Sequence, residues 1–395
     1  MQKNDMGKIQ IYPKIDFHEN RFLMFVIDDM ANNLEYKQGK KVIRLTLGKS
    51  ELKLNPEIVD AMKTSLDDER KRNLVYPGGL PELKEKLADH YHKEFGVSIS
   101  PDHFIISAGT SSIFRNLFYL LTNSDTAVLL PHPYYSLYRF SALLTGTKIR
   151  YYKIDPYTGR LDLKSFRDNF DEKVKAVVLN SPGNPLGNVL TDEEIYQMDE
   201  IVDGKAVMIS DEIYSNTYFD QANKSALNLQ NTKSKFIITN AFSKSYRMYS
   251  RRVGFCIVPD ELIEPMTVLQ HHTLLTLDPV VQYGAIKALD NEEDVRQLTK
   301  IYKERRDYTM EKLKTVARVK AFDSLGGFYI TLQCGEYMKQ KNYTSSYDLA
   351  VDLLLKKSVA VVPGSDFGLP ETIRLSFTSK DYEEGIDRIC EFFRS

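Results

Sequence analysis

Residues 206–214 read AVMISDEIY and residues 236–247 read FIITNAFSKSYR, and each stretch is a short apolar run followed by polar residues. The runs have the length of a strand and are apolar on successive residues. This pattern is typical of strands buried on both faces of a mostly parallel sheet covered by helices. Ligands of such sheets gather at the carboxyl ends of the strands. We therefore expect Asp211 and Lys244 at the same edge of one sheet.

Five further runs of this kind lie between residues 104 and 258. Helical patterns separate several of them, such as Ser111–Leu121 and a capping-box sequence that opens at Thr191. Asn55-Pro56 has the form of an N-cap followed by proline. Because strands and helices alternate, the predicted fold class is α/β. The seven predicted strands are Phe104–Ile106, Ala127–Leu130, Lys148–Tyr152, Ala176–Leu179, Ala206–Ile209, Phe236–Ile238 and Val253–Val258.

The pattern changes after about residue 275. A long helical stretch, roughly Pro279–Val316, leads to a shorter mixture of strands and helices, with strands predicted at Phe328–Leu332 and Ile373–Phe377. We therefore expect a large domain at 46–274 and a small α/β domain at 275–395. Residues 1–45 are predicted to be an N-terminal arm that belongs with the small domain.

Composition excludes several classes of protein. The 395 residues include 53 Lys and Arg against 54 Asp and Glu, and 42% are hydrophobic, so the chain is neither disordered nor basic enough to favour nucleic acid or anionic membrane. Three cysteines, Cys256, Cys334 and Cys390, form no zinc motif, and free thiols in a reducing compartment are the simplest interpretation. With no signal-peptide pattern and no apolar run of membrane-spanning length, we expect a cytoplasmic enzyme without a metal site.

A candidate phosphate site follows the first predicted strand. Residues 107–112, SAGTSS, precede a helix, and free backbone N–H groups at a helix N-terminus bind phosphate. The segment is neither GxGxxG nor a Walker loop, which argues against a dinucleotide or nucleoside triphosphate. Alone it could be an ordinary turn, just as Asp211 could be a helix cap and Lys244 a surface residue. Together, a phosphate site, an acid and a lysine indicate pyridoxal phosphate, with the lysine on the aldehyde and the acid on the ring nitrogen.

Further motifs occur in a fixed order along the chain. They are Tyr76–Leu83 (YPGGLPEL), 109–112 (GTSS), Pro133–Tyr135 (PYY), Asn180–Gly187 (NSPGNPLG), Asp211–Tyr214 (DEIY), Ser243-Lys244 with Arg252 eight residues after the lysine, and Ile373–Phe377 (IRLSF). In these motifs, over roughly residues 40–395, the chain resembles the class I/II aminotransferases, which are pyridoxal-phosphate-dependent enzymes of fold type I. The resemblance implies that the chain moves an amino group from an L-α-amino acid to a 2-oxo acid.

The resemblance also implies roles at the reacting end of the cofactor. Lys244 would hold the aldehyde and then move the proton between the substrate Cα and the cofactor. Asp211 would pair with the pyridinium nitrogen, and Tyr214 with Asn184 would hydrogen-bond the ring 3-oxygen. Tyr135 would stack on the ring, although it could also be a core aromatic residue.

The resemblance also implies two anion-binding sites, one for the cofactor phosphate and one for the substrate α-carboxylate. The phosphate would be held by Gly109, Thr110, Ser111, Ser243 and Arg252. Tyr76 would reach the phosphate of the other subunit, which implies a homodimer with shared active sites, unless Tyr76 is only an interface aromatic. Arg374 would bind the substrate α-carboxylate with help from Asn184, and Gly48 would bring a backbone group nearby.

Three departures from the family pattern leave the reaction open. Tyr249–Arg252 (YSRR) has Ser250 at a usual glycine and an additional Arg251, Gly48–Glu51 reads GKSE, and Asn184–Gly187 reads NPLG. The alternative is a lyase or cyclase that acts on a specialised amino acid from the same intermediate. The segment Phe17–Phe22 (FHENRF) could fold over the site or be an ordinary arm. A regulator that borrowed this fold is disfavoured because the preceding residues are not strongly basic.

Overall fold

The computed structural model describes residues 15–16 and 20–395, so Phe17, His18 and Glu19 of the FHENRF segment lie outside the described residues. The strands are β1 (Ile43–Arg44), β2 (Phe104–Ser107), β3 (Ala127–His132), β4 (Lys148–Lys153), β5 (Val174–Asn180), β6 (Val207–Asp211), β7 (Phe236–Ala241), β8 (Gly254–Ile257), β9 (Lys320–Ala321), β10 (Tyr329–Gln333), β11 (Val359–Ala360), β12 (Val362–Pro363) and β13 (Thr372–Ser376). The α-helices are α1 (Leu23–Gln38), α2 (Pro56–Asp67), α3 (Glu69–Arg72), α4 (Pro81–Phe95), α5 (Thr110–Leu121), α6 (Ser136–Thr145), α7 (Leu163–Asn169), α8 (Asp192–Val202), α9 (Phe242–Ser245), α10 (Asp260–Leu274), α11 (Pro279–Ala288), α12 (Glu292–Leu313), α13 (Gly335–Lys341), α14 (Ser346–Lys357) and α15 (Tyr382–Arg394).

The seven predicted strands form one sheet, in the order β2-β8-β7-β6-β5-β3-β4. The pairings from β4 to β7 are parallel, and β8 is antiparallel to both of its neighbours. The mostly parallel α/β sheet is therefore confirmed. Because β5, β6 and β7 are parallel neighbours, their carboxyl ends meet at one end of the sheet, which brings together the residues that follow them.

Local sequence signals start two of the helices as predicted. The Asn55 side chain accepts a hydrogen bond from the Glu57 N–H at the start of α2, with proline in the first turn. At α8, Thr191 and Glu194 form a reciprocal capping box. Among the described residues, no helix combines the length and apolarity needed to cross a membrane.

Two smaller sheets lie beside the large one. The four-stranded sheet has the order β12-β13-β10-β9 and is antiparallel, which confirms the two strands predicted there. β1 pairs in parallel with β11, with Ile43 opposite Val359. Ile27 and Ala31 of α1 pack in the same buried cluster as Leu353 of α14. Residues from both ends of the described chain therefore build one hydrophobic core.

The helical stretch expected at Pro279–Val316 is interrupted. α11 ends at Ala288, and α12 begins at Glu292 after a turn in which the Asn291 side chain donates a hydrogen bond to the Lys287 carbonyl oxygen. Three acidic residues in the first turn of α12 favour a helix start here, because they interact well with the positive end of the helix dipole. This acidic start signal was in the sequence, and the continuous prediction was wrong at the turn.

Candidate active site

A cavity of about 290 Å³ lies at the carboxyl ends of β5, β6 and β7. Asn180 ends β5, Asp211 ends β6, and Lys244 lies in the short helix α9 directly after β7. The topology therefore brings the predicted acid and lysine into one cavity. The lining residues are Phe25, Thr110, Ser111, Tyr135, Tyr138, Asn180, Asn184, Asp211, Ile213, Tyr214, Ser243, Lys244, Tyr249, Arg252 and Tyr329.

The Lys244 amine is held in place and easily deprotonated. Its Nζ donates a hydrogen bond to the Gly48 carbonyl oxygen at 3.0 Å and lies 5.1 Å from the ring centroids of both Tyr249 and Phe328. Burial, followed by the positive charges of Arg374 and Arg252, lowers the pKa of Lys244 to about 7. The uncharged amine, which is the nucleophilic form, is therefore well populated near neutral pH.

Asp211 is a buried carboxyl group aimed into the cavity. Its side chain is 2% exposed, and it accepts hydrogen bonds from the Tyr138 hydroxyl at 2.6 Å and the Thr239 hydroxyl at 3.1 Å. Burial raises the pKa of Asp211 to about 6, although these hydrogen bonds and the charge of Lys244 act in the opposite direction. A cationic group next to this carboxylate would offset the cost of its burial.

One end of the cavity is suited to an anion. Gly109, at a φ of +77°, precedes the first turn of α5, and a Cβ on it would lie 2.5 Å from Nη2 of Arg252. The Arg252 guanidinium lies 3.4 Å from the Ser243 hydroxyl oxygen and 3.5 Å from that of Ser111. Within residues 15–16 and 20–395, no carboxylate forms an ion pair with Arg252. The free N–H groups, two hydroxyls and an unpaired cation fit a phosphate group.

A second anion site is built around Arg374 in β13. Its Nη1 donates to Oδ1 of Asn184 at 3.0 Å, and its Nη2 donates to the Thr46 carbonyl oxygen at 2.7 Å. The side chain is only 2% exposed, and its Nε has no hydrogen-bond partner in the described part of the chain. A buried donor without a partner is costly, so this orphaned N–H indicates that an external acceptor such as a carboxylate completes the site.

Tyr329 and Tyr138 are site residues that the sequence reasoning missed. The Tyr329 hydroxyl interacts with that of Tyr214, and the Tyr329 ring faces Arg374. Tyr138 lies one helical turn after Tyr135 in α6, and its hydroxyl contacts Asp211. The spacing between Tyr135 and Tyr138 could have indicated the second residue, whereas the only signal for Tyr329 was its position at the start of a predicted strand.

Most of the remaining predicted residues also lie at the cavity. Tyr135 and Tyr214 line it, and burial raises the pKa of both phenols well above the ordinary value. Gly48, Gly109 and Arg374 do not line it themselves, but they contact the lining residues Lys244, Arg252 and Asn184. Tyr76 differs from them, since its side chain is 41% exposed and it is absent from the lining. Its backbone N–H and carbonyl oxygen are both hydrogen-bonded to the Thr276 hydroxyl. Within a single chain, Tyr76 is therefore not part of this cavity.

The start of α1 lies against the site. Asp366 accepts hydrogen bonds from the backbone N–H groups of Leu23 and Met24 at 2.8 and 2.9 Å. The Met24 sulfur lies 3.8 Å from Nη2 of Arg374, and Phe25 lines the cavity. The residues directly after the FHENRF segment thus contribute to the wall of the site.

Comparison with known proteins places these features in context. A family model described as aminotransferase class I and II matches residues 40–392. An aspartate aminotransferase of Sulfurisphaera tokodaii is 30% identical, with 93% of this chain and 94% of that protein covered. A (5-formylfuran-3-yl)methyl phosphate transaminase of Methanocaldococcus jannaschii is 31% identical, with 92% and 94% covered. The crystal structure of an aspartate aminotransferase from Thermotoga maritima superposes with a TM-score of 0.84 at 28% identity, covering 94% of this chain and 97% of that one.

Proposed function

The chain belongs to the class I and II aminotransferases, a family of pyridoxal-phosphate enzymes of fold type I, and we propose how its own residues carry out the reaction. It is a pyridoxal-phosphate-dependent aminotransferase that moves an amino group from an L-α-amino acid to a 2-oxo acid. The observation that carries the proposal is one set of neighbouring groups. A phosphate cradle, a buried acid and a deprotonable lysine line the cavity, and a buried arginine with a free N–H contacts its lining residues Asn184 and Tyr329.

The cavity fits the cofactor on the grounds of its own chemistry. Pyridoxal phosphate supplies a reactive aldehyde and a ring that accepts electrons. Arg252, with the N–H groups and hydroxyls around Gly109 and Ser111, would hold its phosphate. Asp211 would hold a proton on the ring nitrogen, and the Tyr214 hydroxyl and the Asn184 amide would lie at the ring oxygen.

Lys244 is proposed as the catalytic residue. Its low pKa supplies an uncharged amine that can bond to the aldehyde. The Lys244 amine would also accept the proton from the substrate Cα and deliver it to the cofactor. Arg374 would fix the substrate carboxylate through Nε and Nη2 while Asn184 keeps the guanidinium oriented, so that the Cα–H bond lies near Lys244.

Three organisational features belong to the same proposal. The exposed Tyr76 would complete the cavity of the partner subunit, in a homodimer with shared active sites. The chain would work in the cytoplasm, in keeping with three buried free cysteines. The division into an arm at 1–45, a large domain at 46–274 and a small domain at 275–395 would let the small domain, which carries Arg374, close on a substrate held by the large one.

A half-reaction tests the proposed function. The purified protein, loaded with cofactor, is mixed with single L-amino acids and no oxo acid, and the visible absorbance is followed together with the organic product. One equivalent of 2-oxo acid and conversion of the cofactor to its amine form are expected, with turnover only after 2-oxoglutarate is added. Lys244→Ala should lack both the imine absorbance and turnover. Repeated product formation without any oxo acid would instead establish a lyase or cyclase.

A further inference from the structure

A second cavity, of about 470 Å³, adjoins the one that contains Lys244. Three residues, Phe25, Tyr135 and Tyr249, line both cavities. The two cavities therefore adjoin each other at these three side chains. The second one extends away from Lys244, between the start of α1 and helix α6.

The walls of the second cavity are largely apolar. Phe22 and Leu23 contribute from the start of α1, and Leu137 and Phe140 contribute from α6. Binding of a carbon chain between these side chains would be favourable, because it removes apolar surface of both the chain and the cavity walls from water. The cavity is thus suited to the side chain of a substrate whose α-carbon lies near Lys244.

A cation lies in the wall of this second cavity. Arg139, in α6, is partly buried, and its guanidinium donates to the Asn20 side-chain oxygen and contacts the Tyr151 hydroxyl. Over residues 15–16 and 20–395, no carboxylate forms an ion pair with it. A second cation, Arg21, is exposed at the rim. A partly buried arginine without a carboxylate partner is poised to bind an anion.

The acid that lines this cavity does not neutralise Arg139. Both carboxylate oxygens of Asp366 accept hydrogen bonds, from the backbone N–H groups of Leu23 and Met24. Burial also raises the pKa of Asp366 to about 6. Among the described lining residues, two arginines, Arg21 and Arg139, outnumber the one carboxylate, so their net charge is positive.

We infer that the second cavity receives the side chain of the amino-acid substrate, and that Arg139 binds an anionic group, carboxylate or phosphate, at its far end. This rests on the proposed function, since it assumes that Arg374 holds the α-carboxylate. Arg139 then selects an acidic amino acid whose carbon chain spans the apolar walls. It is a specificity-determining residue and takes no part in proton transfer.

Binding of simple acids tests the inference without any chemistry. Adipate and hexanoate have the same number of carbon atoms, but only adipate carries a second carboxylate for Arg139. By calorimetry on the cofactor-loaded protein, we expect adipate to bind about tenfold or more tighter than hexanoate. Arg139→Gln should remove this preference, whereas Arg167→Gln, the same change at an exposed site on α7, should keep it. A preference that survives Arg139→Gln would overturn the inference.

Amino acids in the half-reaction give an independent readout. Arg139→Gln should raise the KM for 2-aminoadipate or O-phospho-L-serine about 10- to 100-fold with little change in kcat, and leave norleucine nearly unchanged. The acid whose KM rises more shows whether Arg139 binds a carboxylate or a phosphate. If the unmodified protein converts norleucine and both acids with equal kcat/KM, the inference about Arg139 is wrong, but the aminotransferase assignment stands. Adipate binding through Arg139 without conversion of any amino acid would support the inference about Arg139 and contradict the aminotransferase assignment.

Discussion

The guanidinium carbon of Arg374 lies 4.0 Å from the centroid of the Tyr329 ring. A cation over an aromatic face is stabilised by about 0.5–2 kcal/mol, more when both are desolvated. The same tyrosine interacts through its hydroxyl with Tyr214. Tyr329 therefore joins the residue expected to bind the substrate carboxylate to the residue expected at the cofactor ring oxygen.

Two substitutions at Tyr329 should separate these contacts. Tyr329→Phe keeps the ring beneath Arg374, so the KM for the amino acid should change little, while the pH at which the cofactor absorbance titrates should shift because Tyr214 loses its partner. Tyr329→Leu removes the ring and should raise KM about 3- to 30-fold. Tyr308→Phe, which removes a hydroxyl bonded to Asp387 away from the cavity, is the control. An unchanged titration in Tyr329→Phe would show that the hydroxyl contact does not tune the cofactor.

The low pKa of Lys244 predicts how the stability of the cofactor-free protein depends on pH. The folded pKa is about 7, below the ordinary value of 10.5, so between these values the unfolded chain binds the additional proton. Stability from this group should therefore rise with pH across that window, by up to about 1.4 kcal/mol per unit, and be lowest below pH 7. Lys244→Met should be more stable than the unmodified chain at pH 6, with a gap that closes towards pH 10. Chemical denaturation at several pH values measures this, and a gap independent of pH would contradict it.

Gly48 is predicted to tolerate no side chain. A Cβ there would lie 2.3 Å from the Tyr329 hydroxyl, 2.6 Å from the Phe328 ring and 2.8 Å from the Lys244 amine. Gly48→Ala should therefore displace Lys244 and lower kcat/KM by about 100-fold or more, since small displacements of catalytic groups cost this much. At Gly335 the nearest atom to a new Cβ is a carboxylate oxygen of Glu371, which can move, so Gly335→Ala should keep near-normal activity. Kinetics and cofactor absorbance of the two variants provide the comparison.

The role proposed for Tyr76 can be tested with mixed dimers. Tyr76→Phe and Lys244→Ala proteins, each with low activity, are unfolded together and refolded. If Tyr76 serves the partner subunit, the hybrid contains one cavity with both residues intact, and activity should exceed that of either parent. If Tyr76 served its own chain, every cavity in the hybrid would lack one of the two residues, and mixing would give no gain.

The sheet and the cofactor end of the site were predictable because local sequence encodes them. Most of the seven strands are apolar on successive residues, and Gly109, Asp211 and Lys244 lie at or shortly after the ends of three of them. Tyr329 and Arg139 were not predictable in this way. Tyr329 matters because it contacts Arg374 in the folded chain, and Arg139 because it contacts Asn20. These residues are far apart in sequence, so no motif or spacing predicts the contacts. The turn between α11 and α12 was missed for a different reason. The helical periodicity favoured one continuous helix, although the acidic residues from Glu292 onward are typical of a helix start.

The contact between Arg374 and the Thr46 carbonyl oxygen joins residues 328 positions apart. On the ribosome, every residue proposed for the cofactor phosphate, ring and aldehyde has been made once β8 is complete, whereas Arg374 is added long afterwards. The residues proposed for the cofactor are therefore synthesised before the residue proposed for the substrate carboxylate. The proposed site for the substrate carboxylate forms only when β13, which carries Arg374, folds against the much earlier segment around Thr46.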